Sequence, residues 1–373
     1  MRWYNGAAKQ LFSANRKENQ MTMTATPIAP AAQRAATKMK YPSFVGGRKI
    51  EFVEKPVSQP GSGELLIRVH ANALCGSERP QWVEGAPVTP GHEAAGVVEA
   101  AGPGTHTAVG TPGVVFLMDF CGKCRSCRLG LTNQCLAKRA DMGFNKDGGY
   151  GPYELIHENI FFPTNSELTP TEATLLLDIM GTNGHALERC RMIRPDIESV
   201  LVMGAGPIGL GLLVMAKIVL GHNTPVAIAD ISPYRLKLAE QLGGLPVDVK
   251  NASLDEGLKR HNLSPVDIAV DTSGKQVARE SALRATAQRG AVICVGHGEG
   301  IAVKVSPDII AAERSIVGSE YFRYNELAGN LQLLRQHKSY LSQIITHRFG
   351  VGDIQHAFEL FFGGETGKVI IEQ

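Results

Sequence analysis

No run of apolar residues in this 373-residue chain reaches the ~18 positions that a bilayer-spanning helix requires, so it reads as a soluble globular protein with no membrane partner. A surplus of charge is missing too. Lys and Arg number 38 against 36 for Asp and Glu, a formal net charge of +2, and there is no Lys/Arg stripe with interleaved aromatics. That balance calls for no nucleic acid and no anionic surface. Cysteine is sparse, seven in all, and four of the seven crowd into one short segment. Such usage speaks against a disulfide-stapled secreted domain and for a reducing compartment, so a cytoplasmic protein is expected. Acids are nearly absent from the first 38 positions, where Glu18 alone faces Arg2, Lys9, Arg16 and Lys17. This segment lacks an apolar core of signal-peptide length. Its basic, acid-poor character faintly resembles a transit peptide, but with its Ala-, Thr- and Pro-rich continuation it reads first as a disordered arm or an upstream start, for which Met21 or Met23 could be the natural first residue.

What is present is concentrated in residues 75–135. Cys75 lies in CGSE, His92 and Glu93 in PGHEAAGVV, and Cys121, Cys124, Cys127 and Cys135 in CGKCRSCRLGLTNQC. Zinc takes thiolate and imidazole in tetrahedral sets, and four cysteines in one loop can close that shell alone. The quartet is therefore predicted to hold a structural zinc, with disulfide pairing as the alternative. A catalytic zinc keeps an open position and draws mixed ligands from separated segments, a description that Cys75 and His92 fit. Two zinc ions per chain are expected. Cys190 and Cys294 lie among apolar residues and read as small buried hydrophobes.

From about residue 41 the chain runs in short alternating stretches, KIEFVEK, ELLIRVHANAL, AAGVVEAAG and VGTPGVVFLM, which predict the strands of a compact β domain. Beyond residue 180 strands and helices alternate, from SVLVMG and PIGLGLLVMAKIVLG through PVAIAD to AVICVG, which predicts a doubly wound parallel sheet. Gly204, Gly206 and Gly209 form GxGxxG after the first of these strands. Glycines there permit a tight turn, a close approach to a pyrophosphate and tight strand–helix packing, while the helix N-terminus attracts the anion. Asp230 ends the next strand about 20 residues on, where a carboxylate can accept hydrogen bonds from a ribose and would repel a 2′-phosphate. NAD rather than NADP is the expected cofactor. Arg235 could stack on adenine, pair with Asp230 or tolerate a phosphate; Pro207, Ile208 and Val295 complete the cofactor-binding candidates.

With these motifs, residues 41–373 resemble the zinc-dependent medium-chain dehydrogenases, the alcohol and polyol dehydrogenase superfamily with sorbitol- and threonine-dehydrogenase branches. GHEAAGVVEAAG resembles that family's zinc signature, the spacing of two, two and seven residues between the cysteines its structural lobe, and GAGPIGL its dinucleotide turn. The resemblance implies a GroES-like β catalytic domain over 39–180, completed by 319–373, with a Rossmann nucleotide domain inserted over 181–318. It implies Asp178 as third catalytic zinc ligand, a helix-capping acid being the other reading, and Glu93 as an exchangeable fourth ligand. Ser77 matches the hydroxyl that takes the alcohol proton, unless it is a turn hydroxyl, and Thr182 matches the residue packed against nicotinamide. No His follows four or five residues after Cys75, where Pro80 and Gln81 stand, and Pro152 occupies a position often held by Glu. The loop between Cys75 and His92 is short, and Arg79 and Trp82 within it are candidate substrate contacts. GSEYFRYNELAGNLQLL resembles the polyol branch, with Arg323 and Tyr324 in the matching places. The implied activity is hydride transfer from a secondary alcohol, a polyol, sugar or cyclitol, to NAD, by a homodimer or homotetramer. A threonine-type amino-alcohol or hydroxy-acid dehydrogenase is the nearer alternative, a zinc-knuckle nucleic-acid binder the distant one.

Overall fold

The strand Glu64–Ala73 is central to the first of two large sheets because its alternate residues, with Leu65, Ile67 and Val69 fully buried, pack into the main core. The structure, a computed structural model, describes residues 37–373 except 165, so nearly all of the predicted N-terminal arm lies outside the described residues; Lys38 already opens a strand. Glu64–Ala73 pairs antiparallel with Ala94–Ala101, with Tyr153–His157 and with the last strand of the chain, Lys368–Glu372. Pro112–Val115, Phe161–Pro163 and Ile345–Gly350 complete this seven-stranded sheet. Its strands therefore come from both ends of the described chain, which brings the last residues beside Leu74 and Cys75.

The second sheet has six parallel strands in the order Leu245–Asp248, Val226–Asp230, Val200–Met203, Val266–Asp271, Thr286–Cys294 and Ser315–Gly318. This is the predicted doubly wound sheet. Val200–Met203 is apolar throughout and buried throughout, as a parallel strand covered on both faces must be. Chain order reverses between Val200–Met203 and Val266–Asp271, which opens a crevice at the carboxyl ends of these two strands. The helix Pro207–Val219 is apolar on nearly every side and correspondingly buried. Among the described residues no helix is long and apolar enough to cross a membrane.

Candidate metal and cofactor site

Cys75 follows the central strand by two residues and caps the single turn Gly76–Glu78, which ends the strand and points the thiol inward. His92 and Glu93 immediately precede Ala94–Ala101, and the backbone N–H of Glu93 donates to Asn72 Oδ1 at 3.1 Å, tying the two strand ends together. Asp178 lies in the first turn of a π-helical segment, Leu177–Thr182, a local widening common at functional sites. These segments bring one donor atom each from Cys75, His92, Glu93 and Asp178 within 4.8 Å of one another, all four residues being buried. A sulfur, a nitrogen and carboxylate oxygens gathered in this way suit zinc.

The electrostatics are those of an anionic nest around an imidazole. Burial pushes the Cys75 thiol up, the Asp178 charge adds to the rise, and hydrogen bonding to His92 opposes it. Burial works against a charged His92, but Asp178, Cys75 and Glu78 together hold its pKa well above the ordinary value. Glu93 is driven up by burial and by Asp178, against the pull of Lys368. Asp178 stays low in spite of burial because His92 and Lys368 favour its charged form. His92 Nε2 is 3.6 Å from Asp178 Oδ2, while Nδ1 is 3.1 Å from Glu78 Oε1. The second contact is close but bent, neither atom meeting full hydrogen-bond geometry. Glu78 is itself fixed, accepting from the Tyr150 hydroxyl at 2.6 Å. Lys368 Nζ donates to the Leu74 carbonyl at 3.0 Å and to Glu93 Oε1, leaving Glu93 Oε2 without a partner among the described residues.

Cys121, Cys124, Cys127 and Cys135 also bring their sulfurs within 4.8 Å, and all four are free thiols rather than disulfides. Backbone N–H groups of Cys121, Cys124 and Leu136 donate to sulfurs of the quartet at 3.2, 3.3 and 3.4 Å. Such bonds favour thiolate, and those from the Cys127 and Leu136 backbone hold Cys124 down at about 6. Burial and its neighbouring thiols push Cys127 up to about 12. A tight cluster with mixed protonation suits a divalent ion that draws off the remaining protons.

At the second sheet, Gly204 has φ of +99°, and a side chain at Gly209 would run into the Gly204 carbonyl. A Cβ on Gly206 would meet nothing closer than Arg235 Nη1 at 3.9 Å, which leaves room for a phosphate at the start of the Pro207–Val219 helix. Ile208 is half-buried in that first turn. Asp230 accepts from Ala205 N at 2.6 Å and from Ile231 and Ser232 N at 2.8 Å, so it braces the glycine turn from the neighbouring strand. Arg235 makes no ion pair with Asp230; it donates to the carbonyls of Thr366 and Phe361 at 3.3 and 3.4 Å. Val295, half-buried, lines a cavity of about 530 Å³ together with Asn133, His185, Arg189 and Ser319.

Comparison with known proteins gives the family. The alcohol dehydrogenase GroES-like domain family matches residues 61–166, and the zinc-binding dehydrogenase family matches residues 207–336. An L-threonine 3-dehydrogenase from Pyrococcus horikoshii is 31% identical over 338 residues, 87% of this chain and 95% of the relative. The chain belongs to the zinc-dependent medium-chain dehydrogenases. It is an oxidoreductase acting on alcohols with zinc and NAD. Among solved structures, an alcohol dehydrogenase from E. coli CFT073 complexed with NADH superimposes with a TM-score of 0.81 at 22% identity, over 91% of this chain and 100% of that one. 2R,3R-butanediol dehydrogenase from Bacillus subtilis does so with a TM-score of 0.78 at 22% identity, over 90% and 99%. The dehydrogenase thus combines a GroES-like β domain with a Rossmann sheet.

Some expected contacts of the dehydrogenase are placed elsewhere. Trp82 is buried in a core cluster with Phe44 and Phe358, its ring stacked 5.0 Å from Phe362, and Arg79 lies 5.8 Å over the Phe362 ring. Pro80 lies in the first turn of the helix Arg79–Glu84, so this part of the segment between Cys75 and His92 is a packed helix. Ser77 is exposed and makes no hydrogen bond among the described residues. Thr182 is buried, its hydroxyl 3.4 Å from Asp178 Oδ1. Arg323 is paired with Glu188 and with Glu326, and Tyr324 donates to the Phe161 carbonyl at 2.5 Å, so both are already engaged within the protein. The sequence reading missed Glu78, Tyr150 and Lys368, which fasten the candidate metal-site residues from behind.

It also missed Glu154, whose carboxylate is buried on the strand Tyr153–His157 with neither oxygen partnered among the described residues. Burial pushes it from 4.5 up to about 8, with Asp147 adding to the rise. Between these two pH values the folded chain keeps a proton that the unfolded chain has lost, so stability falls as pH rises through the window and levels off above it. Glu154→Gln should therefore gain up to ~4 kcal/mol over wild type on going from about pH 5 to about pH 9. Urea unfolding at the two pH values measures this, and an identical pH dependence in the two proteins would show that Glu154 is ionised at little cost.

Proposed function

We propose that this dehydrogenase oxidises a secondary alcohol that carries further hydroxyls, a polyol, sugar alcohol or cyclitol, with NAD as acceptor. The carrying observation is the buried convergence of Cys75, His92, Glu93 and Asp178, with Thr182 on the same π-helical turn as Asp178. Cys75, His92 and Asp178 would hold zinc, with Glu93 as an exchangeable fourth ligand, and the cysteine quartet would hold a second zinc. Bound there, the metal supplies Lewis acidity toward an alcohol and NAD supplies the hydride acceptor. The chain's own residues prepare the reaction. Glu78 favours the Nδ1 proton on His92, which leaves the Nε2 lone pair toward Cys75 and Asp178. Cys75 and Asp178 as anions balance a +2 ion, so Glu93 is better held aside by Lys368 than added permanently. Ser77, exposed on the turn after Cys75, is the proposed outlet for the alcohol proton.

The polyol assignment is supported by the stretch Gly318–Tyr324 and by the fold shared with a butanediol dehydrogenase. Several relatives are L-threonine 3-dehydrogenases, which favours an amino-alcohol as the second reading. Reduction of NAD with a library of polyols, secondary alcohols and L-threonine separates the two, and activity with threonine alone would overturn the first. By family resemblance the protein would assemble as a homodimer or homotetramer; light scattering after gel filtration reads its mass.

Asp230 sets the nucleotide preference. A 2′-phosphate beside this carboxylate is a like-charge contact costing several kcal/mol, so kcat/KM should favour NAD over NADP by ~100-fold or more. Asp230→Asn keeps an acceptor for the Ile231 and Ser232 amides, gives up the one for Ala205 N and removes the charge, and it should shrink that preference at least ~10-fold. Equal use of both nucleotides by the wild-type protein would show that Asp230 does not read the ribose.

A further inference from the structure

We propose that the phenol of Tyr321 recognises the substrate, exchanging a hydrogen bond with a hydroxyl other than the one being oxidised. The inference rests on the polyol reading and names the residue that would enforce it. Tyr321 is 7% exposed, and its hydroxyl is buried with no hydrogen-bond partner among the described residues. Buried phenols ordinarily find one. In this protein Tyr150 donates to Glu78 at 2.6 Å, Tyr324 to the Phe161 carbonyl at 2.5 Å and Tyr340 to the Leu242 carbonyl at 2.5 Å. The Tyr321 hydroxyl stands apart in having no acceptor for its proton among the described residues, which leaves it available to a bound molecule.

Its backbone is unusual as well. Tyr321 has φ of +45°, a left-handed conformation that a bulky residue adopts only when its surroundings impose it. Those surroundings adjoin the candidate metal site. The next side chain, Phe322, fills the space that a Cβ on Gly181 would need, which fixes this turn against the segment carrying Asp178 and Thr182. The Tyr321 ring packs 5.2 Å from Phe116 and 4.3 Å from Phe322. A phenol is neutral at ordinary pH and keeps a proton to donate. The backbone of Leu117 approaches the hydroxyl oxygen as a donor without meeting full hydrogen-bond geometry, and it leaves the phenol proton without an acceptor among the described residues. A neutral phenol can donate to and accept from an alcohol hydroxyl. A site built around such a bond discriminates strongly against an analogue without that hydroxyl.

Tyr321→Phe keeps the ring and deletes the oxygen. The test compares kcat/KM for sorbitol, myo-inositol and butane-2,3-diol with kcat/KM for butan-2-ol and cyclohexanol, in both proteins. The ratio of best polyol to best mono-alcohol should fall ~10- to 100-fold in the variant, mainly through KM, with the metal content unchanged. Visible spectra of the cobalt-substituted proteins, titrated with the same alcohols, read binding without turnover and should show the same selective weakening of the polyol. An equal loss for polyols and mono-alcohols, or no loss for either, overturns the role of Tyr321 and leaves the dehydrogenase reading standing. A wild-type protein that neither binds nor oxidises any of the polyols overturns both.

Discussion

Cys124→Ala should leave little or no soluble, folded protein. The segment around the quartet has almost no core of its own: its regular structure is the four-residue helix Arg125–Arg128 and the single turn Thr132–Gln134, with Leu129 and Leu136 exposed at 65% and 73%. A segment of that kind needs a staple. The four sulfurs within 4.8 Å provide one when they share a metal, and binding energies of order 10 kcal/mol for structural zinc in small modules are coupled directly to folding. Cys124 is the member whose sulfur is most readily ionised, held at about 6 by backbone hydrogen bonds from Cys127 and Leu136, so its removal takes away the best thiolate. The damage would also spread. Asn133 donates to the Glu320 carbonyl at 2.8 Å and Thr132 Oγ1 accepts from Tyr324 N at 2.8 Å, which ties this segment to the turn bearing Tyr321. Soluble yield, thermal melting by circular dichroism and zinc per chain are the measurements. A soluble variant with wild-type melting and metal content would show that the quartet is not a structural zinc site.

The parts that were legible in the sequence are those whose physics is local. Four cysteines separated by two, two and seven residues cannot avoid meeting, and a glycine turn between an apolar strand and an apolar helix declares its use within six residues. Cys75 and His92 were readable as candidates for the same reason, because each ends or opens a strand, while the role of Glu93 was implied by family resemblance. Asp178 was reachable only through family resemblance, since nothing in LLLDIMGT announces the π-helical widening that turns its carboxylate inward. What stayed hidden depends on distant pairing. Lys368 meets Glu93 across 275 positions, brought there by the register of the last strand against Glu64–Ala73, and GKVII reads only as a strand. Trp82 was misplaced because its partners, Phe358 and Phe362, arrive from the C-terminal helix Ile354–Gly363. The strain at Tyr321 has no sequence signature: a tyrosine in YFRY looks like any other until the backbone around it is known.

Cys75→Ala should keep the fold, lose one of two zinc ions and lower turnover by ~1,000-fold or more, since Lewis-acid stabilisation is worth several kcal/mol at the reacting centre. The contrast with Cys124→Ala follows from where each sulfur sits. Cys75 is 8% exposed at the end of a strand whose pairing, register and core contacts do not depend on its sulfur. Deleting the sulfur there removes a donor from a set that is otherwise held in place by Glu78, Tyr150, Asn72 and Lys368. His92, Asp178 and Glu93 would remain, but two carboxylates and one imidazole hold zinc with a harder and less selective donor set than one containing a thiolate. NADH binding should survive, because the glycine turn and Asp230 belong to the other sheet. NADH fluorescence therefore separates loss of the metal site from loss of the fold, and metal analysis counts the ions. Two zinc ions and full turnover in Cys75→Ala would mean that the four buried donors are a packed ionic cluster and that the alcohol is activated elsewhere.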